Sequence, residues 1–361
     1  MTSVPATAVA CVYEGVGKDI KIDEKHPVTQ PQDLKPGDVL VKLEYSGVCH
    51  SDLHLWKGDF PFPLPFPLIG GHEGAGHIAA IGEGTDTSLK IGQPVGIKWI
   101  ESTCMDVGCG FCSGGMDQHC LKAKMSGCMV DGTFRQYMVS SAKYLTPIPE
   151  ALPLEYAAPV LCAGVTSWGA LKRSNTKPGD WVTISGAGGG LGHLAVQYAS
   201  AIGLKVVAID TGAEKRKLLE SYGVDKFIDF RDYKDANEIV AAVKETCDGL
   251  GPHAAIVTAT GPNVYDQALQ FLRPCGTLVA VALASNTKIE AELFGFIGKG
   301  LKIVGSYVGS RHDALEALDF VARGKVKPQV VVKPMRKIQE VLGMLEKGQV
   351  DGRLVLKLQD E

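Results

Sequence analysis

Along the first 150 residues, apolar and polar positions alternate over short runs that Gly or Pro closes. Val39–Tyr45 reads V-L-V-K-L-E-Y, close to the two-residue period of a half-buried strand. The run Phe60-Pro-Phe-Pro-Leu-Pro-Phe-Pro67 cannot join a central sheet, because proline has no N–H to donate. Together these features predict an irregular, mainly β domain. From Trp181 the texture changes. β-rich runs fall at Trp181–Ser185, Lys205–Asp210, Phe227–Asp229, Ala254–Ala259, Thr277–Ala282 and Lys302–Tyr307, with helix-compatible stretches such as Leu191–Ile202, Glu214–Tyr222, Ala236–Thr246 and Val264–Leu272 among them. Strands alternating with helices predict βαβ crossovers and a doubly wound parallel sheet. The boundary is expected between Ala157 and Lys177. Beyond Gly309 a further helix (Asp313–Ala322) and a strand-like Arg353–Leu358 are expected to return to the first domain.

Composition narrows the class. The 361 residues hold 37 basic and 40 acidic side chains, a net charge of −3, so neither nucleic acid nor an anionic membrane is an expected partner. No apolar run approaches the roughly 20 residues that span a bilayer. Met1–Ala10 lacks the basic start and apolar core of a secretory signal, so a cytoplasmic address is the expectation. In a reducing compartment the ten cysteines read as metal ligands, buried apolar residues or reactive thiols rather than disulfides.

The first βα junction of the second half reads Ile184-Ser-Gly-Ala-Gly-Gly-Gly-Leu-Gly192. Glycines here let the backbone approach a pyrophosphate, and the following helix offers free N–H groups to the anion. The spacing of Gly186, Gly188 and Gly192 is one residue longer than a strict G-x-G-x-x-G; Gly189, Gly190 and Leu191 fill the turn. The next strand ends at Asp210, 18 residues after Gly192, where a carboxylate can bind ribose hydroxyls and repel a 2′-phosphate. This order favours NAD over NADP, although Lys215 and Arg216 lie close by.

Two groups of residues point to metal. Cys104, Cys109, Cys112 and Cys120 fall within 17 residues of a polar, Gly-rich segment. Four thiolates can enclose one tetrahedral zinc as a closed, structural site; on ligand type alone iron–sulfur remains open. A dispersed set lies in Gly47-Val-Cys-His-Ser-Asp-Leu-His54, Gly70-Gly-His-Glu-Gly-Ala-Gly76 and Val160-Leu-Cys-Ala-Gly164. It supplies Cys, His and Cys, a ligand set known for catalytic zinc with one open position.

The combination of these motifs, with Ala158-Pro-Val-Leu-Cys-Ala-Gly164 and Ile303-Val-Gly-Ser-Tyr-Val-Gly-Ser-Arg311, resembles the zinc-dependent alcohol dehydrogenases of the medium-chain dehydrogenase/reductase superfamily, most of all their yeast and fungal branch. The resemblance implies a GroES-like catalytic domain over residues 1–161 and 309–361 and a Rossmann NAD-binding domain over residues 162–308. It implies two zinc ions per chain, one held by Cys49, His72 and Cys162 and one by Cys104, Cys109, Cys112 and Cys120. Asp52 would orient the ligating histidine, Glu73 would approach the metal from behind its ligands or pair with an arginine, and Ser51 and His54 would relay the substrate proton. His50, Gly188–Leu191, Asp210, Lys215 and Arg311 would contact the cofactor. The implied reaction is reversible hydride transfer between a primary alcohol, or its aldehyde, and NAD.

Two departures matter. The cysteine lobe runs C-x4-C-x2-C-x7-C, with Met105–Gly108 two residues longer than the family pattern, which makes Cys104 the ligand to check. Phe60 stands where ethanol-preferring yeast-type enzymes resemble one another in having Trp, while Trp99 keeps the other large pocket residue. A phenyl in place of an indole predicts substrates bulkier than ethanol. Rival readings are an NADPH-dependent aldehyde or ketone reductase on the same scaffold and a non-catalytic nucleotide-sensing or structural protein. The resemblance further implies a homo-oligomer, dimer or tetramer, pairing around Thr277–Tyr307.

Overall fold

A computed structural model describes residues 4–261, 263–283, 287–350 and 352–359. Met1–Ser3 and residues 284–286 of the expected pairing edge lie outside that set. The chain divides into two compact units: Met1–Val165 with Ser310–Ala322 and Pro328–Glu361, and Thr166–Gly309 with Arg323–Lys327. The sequence reading drew the lines at 161/162 and 308/309. Packing moves the first line because Leu161 fills the space left by Gly96 of a first-unit strand, which carries Cys162 with it. Residues 323–327 go with the second unit, where Gln197 Nε2 donates to the carbonyl of Lys327 and Gln197 Oε1 accepts the Lys327 N–H.

In the first unit a seven-stranded sheet is centred on Asp38–Val48. Glu73–Ile81 and Arg353–Lys357 flank that strand antiparallel, with Gly47 opposite Glu73 and Val48 opposite Leu354. Pro94–Ile97 continues the sheet beside Glu73–Ile81, and Val330–Pro334 beside Arg353–Lys357. Alternation buries Val39, Val41 and Leu43 in one cluster with Phe134, Met138, Leu354 and Leu356. A three-stranded antiparallel sheet, Lys21–Pro27, Thr7–Tyr13 and Leu68–Ile69, completes this irregular β domain.

The second unit is a six-stranded parallel sheet in the order Lys226–Asp229, Lys205–Asp210, Trp181–Ser185, Ala254–Val257, Thr277–Ala280, Lys302–Gly305. That is the doubly wound Rossmann arrangement, with the sequence order reversing at the Trp181–Ser185 strand. Ala254–Val257 and Thr183 are fully buried, as strands covered on both faces require. Among the described residues no helix is long and apolar enough to cross a membrane.

Candidate functional site

Sheet register assembles the first site. Cys49 follows the central strand Asp38–Val48 directly and caps the helix His50–Lys57. Gly47 pairs with Glu73, so His72, the residue before, arrives beside Cys49. Cys162 comes from a third place, behind the 3-10 turn Ala158–Leu161. The Sγ atoms of Cys49 and Cys162, a nitrogen of His72 and a carboxylate oxygen of Glu73 all lie within 4.8 Å of one another, and all four residues are buried.

Asp52 does two jobs here. Its Oδ2 accepts the backbone N–H of Cys49 at 2.8 Å, closing a capping box at the helix start. Its Oδ1 lies 3.0 Å from His72 Nδ1. Burial works against a charged His72, but the Asp52 carboxylate outweighs it and raises the imidazole well above its ordinary value. With Nδ1 committed to Asp52, Nε2 is buried without a hydrogen-bond partner. An orphaned buried nitrogen beside two thiols is what a metal ligand set leaves in a protein structure without its ion. Cys49 is biased toward the ligating thiolate: a hydrogen bond with Cys162 holds it well below the ordinary thiol value, while the same bond pushes Cys162 up and keeps its proton on. The donor set fits zinc.

Glu73 pairs with a residue that the sequence reading did not name. Arg353 donates to its Oε1, and both side chains are buried. Burial pushes the Glu73 carboxyl up to about 7 against the pull of Arg353. The only signal in the sequence was an arginine opening an apolar run, Arg353–Leu358.

Ser51 Oγ lies 3.7 Å from Cys49 Sγ. His54 stands one helical turn further on the same face, its Nδ1 2.8 Å from Asp59 Oδ2, and both partners are about one-third exposed. Asp59 was also missed, since a carboxylate just past a Gly58 cap carries no signature of its own. His50 is exposed at the start of the same helix, with its ring 6.5 Å from that of His54. Trp99 lies two residues past the Pro94–Ile97 strand, whose register sets Ile97 opposite Gly74. Its ring meets the edge of His72 at 4.8 Å, and Phe60 lies 6.3 Å beyond it. The two expected pocket residues are therefore neighbours, next to the candidate ligand His72.

The second cysteine group also closes. Ligand atoms of Cys104, Cys109, Cys112 and Cys120 lie within 4.8 Å of one another. Cys104 Sγ is 3.5 Å from Cys120 and 3.7 Å from Cys112, despite the longer loop. Met105 takes up a left-handed conformation at φ 51°, and the Asp106 carboxylate accepts the Gly108 N–H at 2.8 Å. This turn folds the two extra residues outward.

In the second unit, Gly186 follows the Trp181–Ser185 strand at φ 75°. A side chain on Gly192 would collide with the Gly186 carbonyl, so the helix Gly192–Ala201 starts hard against the strand end. The buried Asp210 carboxylate accepts the N–H groups of Gly188 and Thr211, both at 2.8 Å, and Lys215 Nζ lies 3.0 Å from it. Arg311 sits in the first unit, where Nη1 donates to the Lys143 carbonyl and Nε lies 3.6 Å from Asp117. Asp117, three residues before Cys120, also accepts from the Tyr144 hydroxyl.

Comparison with known proteins now bears on this geometry. The model of the alcohol dehydrogenase GroES-like domain matches residues 35–150, and that of zinc-binding dehydrogenases matches residues 190–323. Alcohol dehydrogenase of Schizosaccharomyces pombe is 45% identical over 359 residues, 99% of each chain. Alcohol dehydrogenase 1 of Emericella nidulans is 43% identical over 357 residues, again 99% of each. The solved alcohol dehydrogenase of the archaeon Aeropyrum pernix has a TM-score of 0.85 at 31% identity, covering 97% of this chain and 99% of that one. Fold and site together define a zinc-binding dehydrogenase with a GroES-like and a Rossmann domain. The chain belongs to the zinc-type alcohol dehydrogenases of the medium-chain dehydrogenase/reductase superfamily, in their fungal branch. It is an oxidoreductase acting on CH–OH donors, a class that works with zinc and a nicotinamide cofactor.

Proposed function

We propose that the protein oxidises primary alcohols bulkier than ethanol, and reduces the matching aldehydes, with NAD and a zinc ion held by Cys49, His72 and Cys162. The observation that carries this reading is the partnerless, buried Nε2 of His72 beside two buried thiols. Zinc bound there would supply a Lewis acid that lowers the pKa of an alcohol hydroxyl, and the nicotinamide would accept the hydride.

The chain's own groups handle the rest. Alcohol oxidation releases one proton with each hydride. Ser51, whose Oγ lies 3.7 Å from Cys49 Sγ, would take the hydroxyl proton as it gives up its own, and His54, paired with Asp59 at a partly exposed position, would pass a proton on to water. Asp52 fixes the ring orientation of His72, and Arg353 holds Glu73 behind the ligands. Trp99 and Phe60 wall the site with apolar surface, and a phenyl at position 60 leaves more room than an indole would. Cys104, Cys109, Cys112 and Cys120 would hold a second zinc with no open position, organising their loop rather than doing chemistry. On the second unit, Gly186–Gly192 would take the pyrophosphate, while Asp210 would bind the ribose hydroxyls and disfavour a 2′-phosphate; His50, Lys215 and Arg311 would add cofactor contacts.

We assign a cytoplasmic address and a homo-oligomeric state to the same reading. The oligomer is supported by the sheet edge Lys302–Gly305, where Ile303 is exposed, and by Leu293, Phe294 and Ile297, all exposed on the helix Leu293–Lys299. An apolar patch beside an open strand edge fits a second copy of the chain. The deciding experiment is metal analysis with turnover on Cys49→Ser. Loss of one zinc and of activity, with NAD binding kept, supports the reading; full turnover in verified metal-free protein defeats it.

A further inference from the structure

Three aromatic rings follow one another in successive contacts from His72. Trp99 meets the His72 ring at 4.8 Å and 78°, Phe60 lies 6.3 Å from Trp99, and Phe62 stands edge-on to Phe60 at 5.4 Å and 62°. Exposure grows along the series, from 0% at His72 and 6% at Trp99 to 37% at Phe62. A core cluster would bury its outer member, and an unconnected surface phenylalanine would not join a series of ring contacts that ends on a candidate metal ligand. A wall opening from a buried centre to solvent has both properties.

The loop also holds these rings in place. Phe60 and Phe62 each precede a proline, which confines their backbone to extended conformations, and Phe66 of the same run packs against the main core. Rings on a restrained backbone lose little entropy when a ligand stacks on them.

We propose that Phe62 is a specificity-determining residue, the outer end of an aromatic wall that receives the aryl group of an arylalkyl primary alcohol or its aldehyde. This rests on the reading of Cys49, His72 and Cys162 as the place where the alcohol oxygen is held. Ethanol has one carbon beyond the reacting one, too little surface to touch successive rings. An aryl group can meet Phe62 edge to face, an arrangement that contributes about tenfold in binding at the upper end of its range.

The test measures kcat and KM for 5-phenyl-1-pentanol, whose chain carries the aryl group outward, and ethanol on the zinc-loaded enzyme and its Phe62→Ala, Phe62→Leu and His72→Ala variants. Phe62→Ala is expected to lower the arylalkyl-to-ethanol ratio of kcat/KM by about tenfold, chiefly through KM for the arylalkyl alcohol. Phe62→Leu, which keeps apolar volume and guards against misfolding, should move the ratio the same way by less. An unchanged ratio, or an equal fall for both alcohols, overturns the inference while the site reading stands. Turnover surviving in His72→Ala overturns the site reading itself.

Discussion

Asp52 reaches His72 and the backbone of Cys49 with the two oxygens of one carboxylate, at 3.0 Å and 2.8 Å. One side chain thus caps the helix that follows the first candidate ligand and fixes the tautomer of the second. Asp52→Asn keeps the shape but removes the charge. Zinc affinity at this site should fall by about 10- to 100-fold, read by competition with a chromogenic chelator. An unchanged affinity would reduce Asp52 to a helix cap.

The cysteine lobe gives a separate result. Cys104→Ser should lower zinc content from about two to about one per chain. The melting temperature should drop, because the Met105–Gly108 turn would lose its anchor. Elemental analysis alongside a thermal scan reads both. Two zinc ions retained in this variant would remove Cys104 from the ligand set.

Asp210 accepts the Gly188 N–H and pairs with Lys215, so it shapes the turn as well as its charge. Asp210→Ser should raise kcat/KM with NADP relative to NAD by roughly tenfold or more, since a carboxylate facing a 2′-phosphate costs on the order of 1.4 kcal/mol or above. Initial rates with both cofactors test this. A wild-type preference for NADP would refute the role given to Asp210.

Phe60 touches both Trp99 and Phe62. Phe60→Trp should narrow the slot and favour ethanol over 1-hexanol, by about 10-fold or more, because each methylene in such a pocket is worth about 1–3 kcal/mol. The same ratio in variant and wild type would place position 60 away from the substrate.

Lys98 is buried, donating to the Tyr144 carbonyl at 2.9 Å and to Thr146 at 2.5 Å. Burial pulls its ammonium down to about 7, with Arg311 acting the same way and Asp117 and Glu101 opposing. The unfolded chain therefore binds more protons between pH 7 and the ordinary lysine range, and stability attributable to Lys98 rises as pH climbs through that window. The cost is fully present below pH 7. Urea unfolding of wild type and Lys98→Met at several pH values should show their difference growing in favour of the wild type by up to about 1.4 kcal/mol per pH unit. A difference that is flat from pH 7 to 10 would contradict this account.

How much was legible varies from element to element. The strand runs at Trp181–Ser185 and Lys205–Asp210 have the limits read from the sequence, because strands buried on both faces appear as unbroken apolar runs. The Gly-rich turn and its terminal Asp210 were equally plain, since both depend on local chain order. Arg353 and Phe62 were not, because their partners lie 280 residues away in one case and in an irregular, Pro-rich loop in the other. Cys104 stayed open for a third reason: spacing cannot say whether a loop folds outward, and the Met105 and Asp106 turn supplies that answer.

The sequence by itself determined the two kinds of domain, the ligand types and the cofactor turn, all written in residues near one another along the chain. The resemblance grouped Cys49, His72 and Cys162, but only tertiary structure brings their ligand atoms within 4.8 Å of one another. Cross-strand register brings the first two together, with Gly47 opposite Glu73 setting His72 beside Cys49 at the end of the Asp38–Val48 strand, and a shift of one residue would turn His72 to the other face; the Ala158–Leu161 turn, with Leu161 packed on Gly96, brings in Cys162.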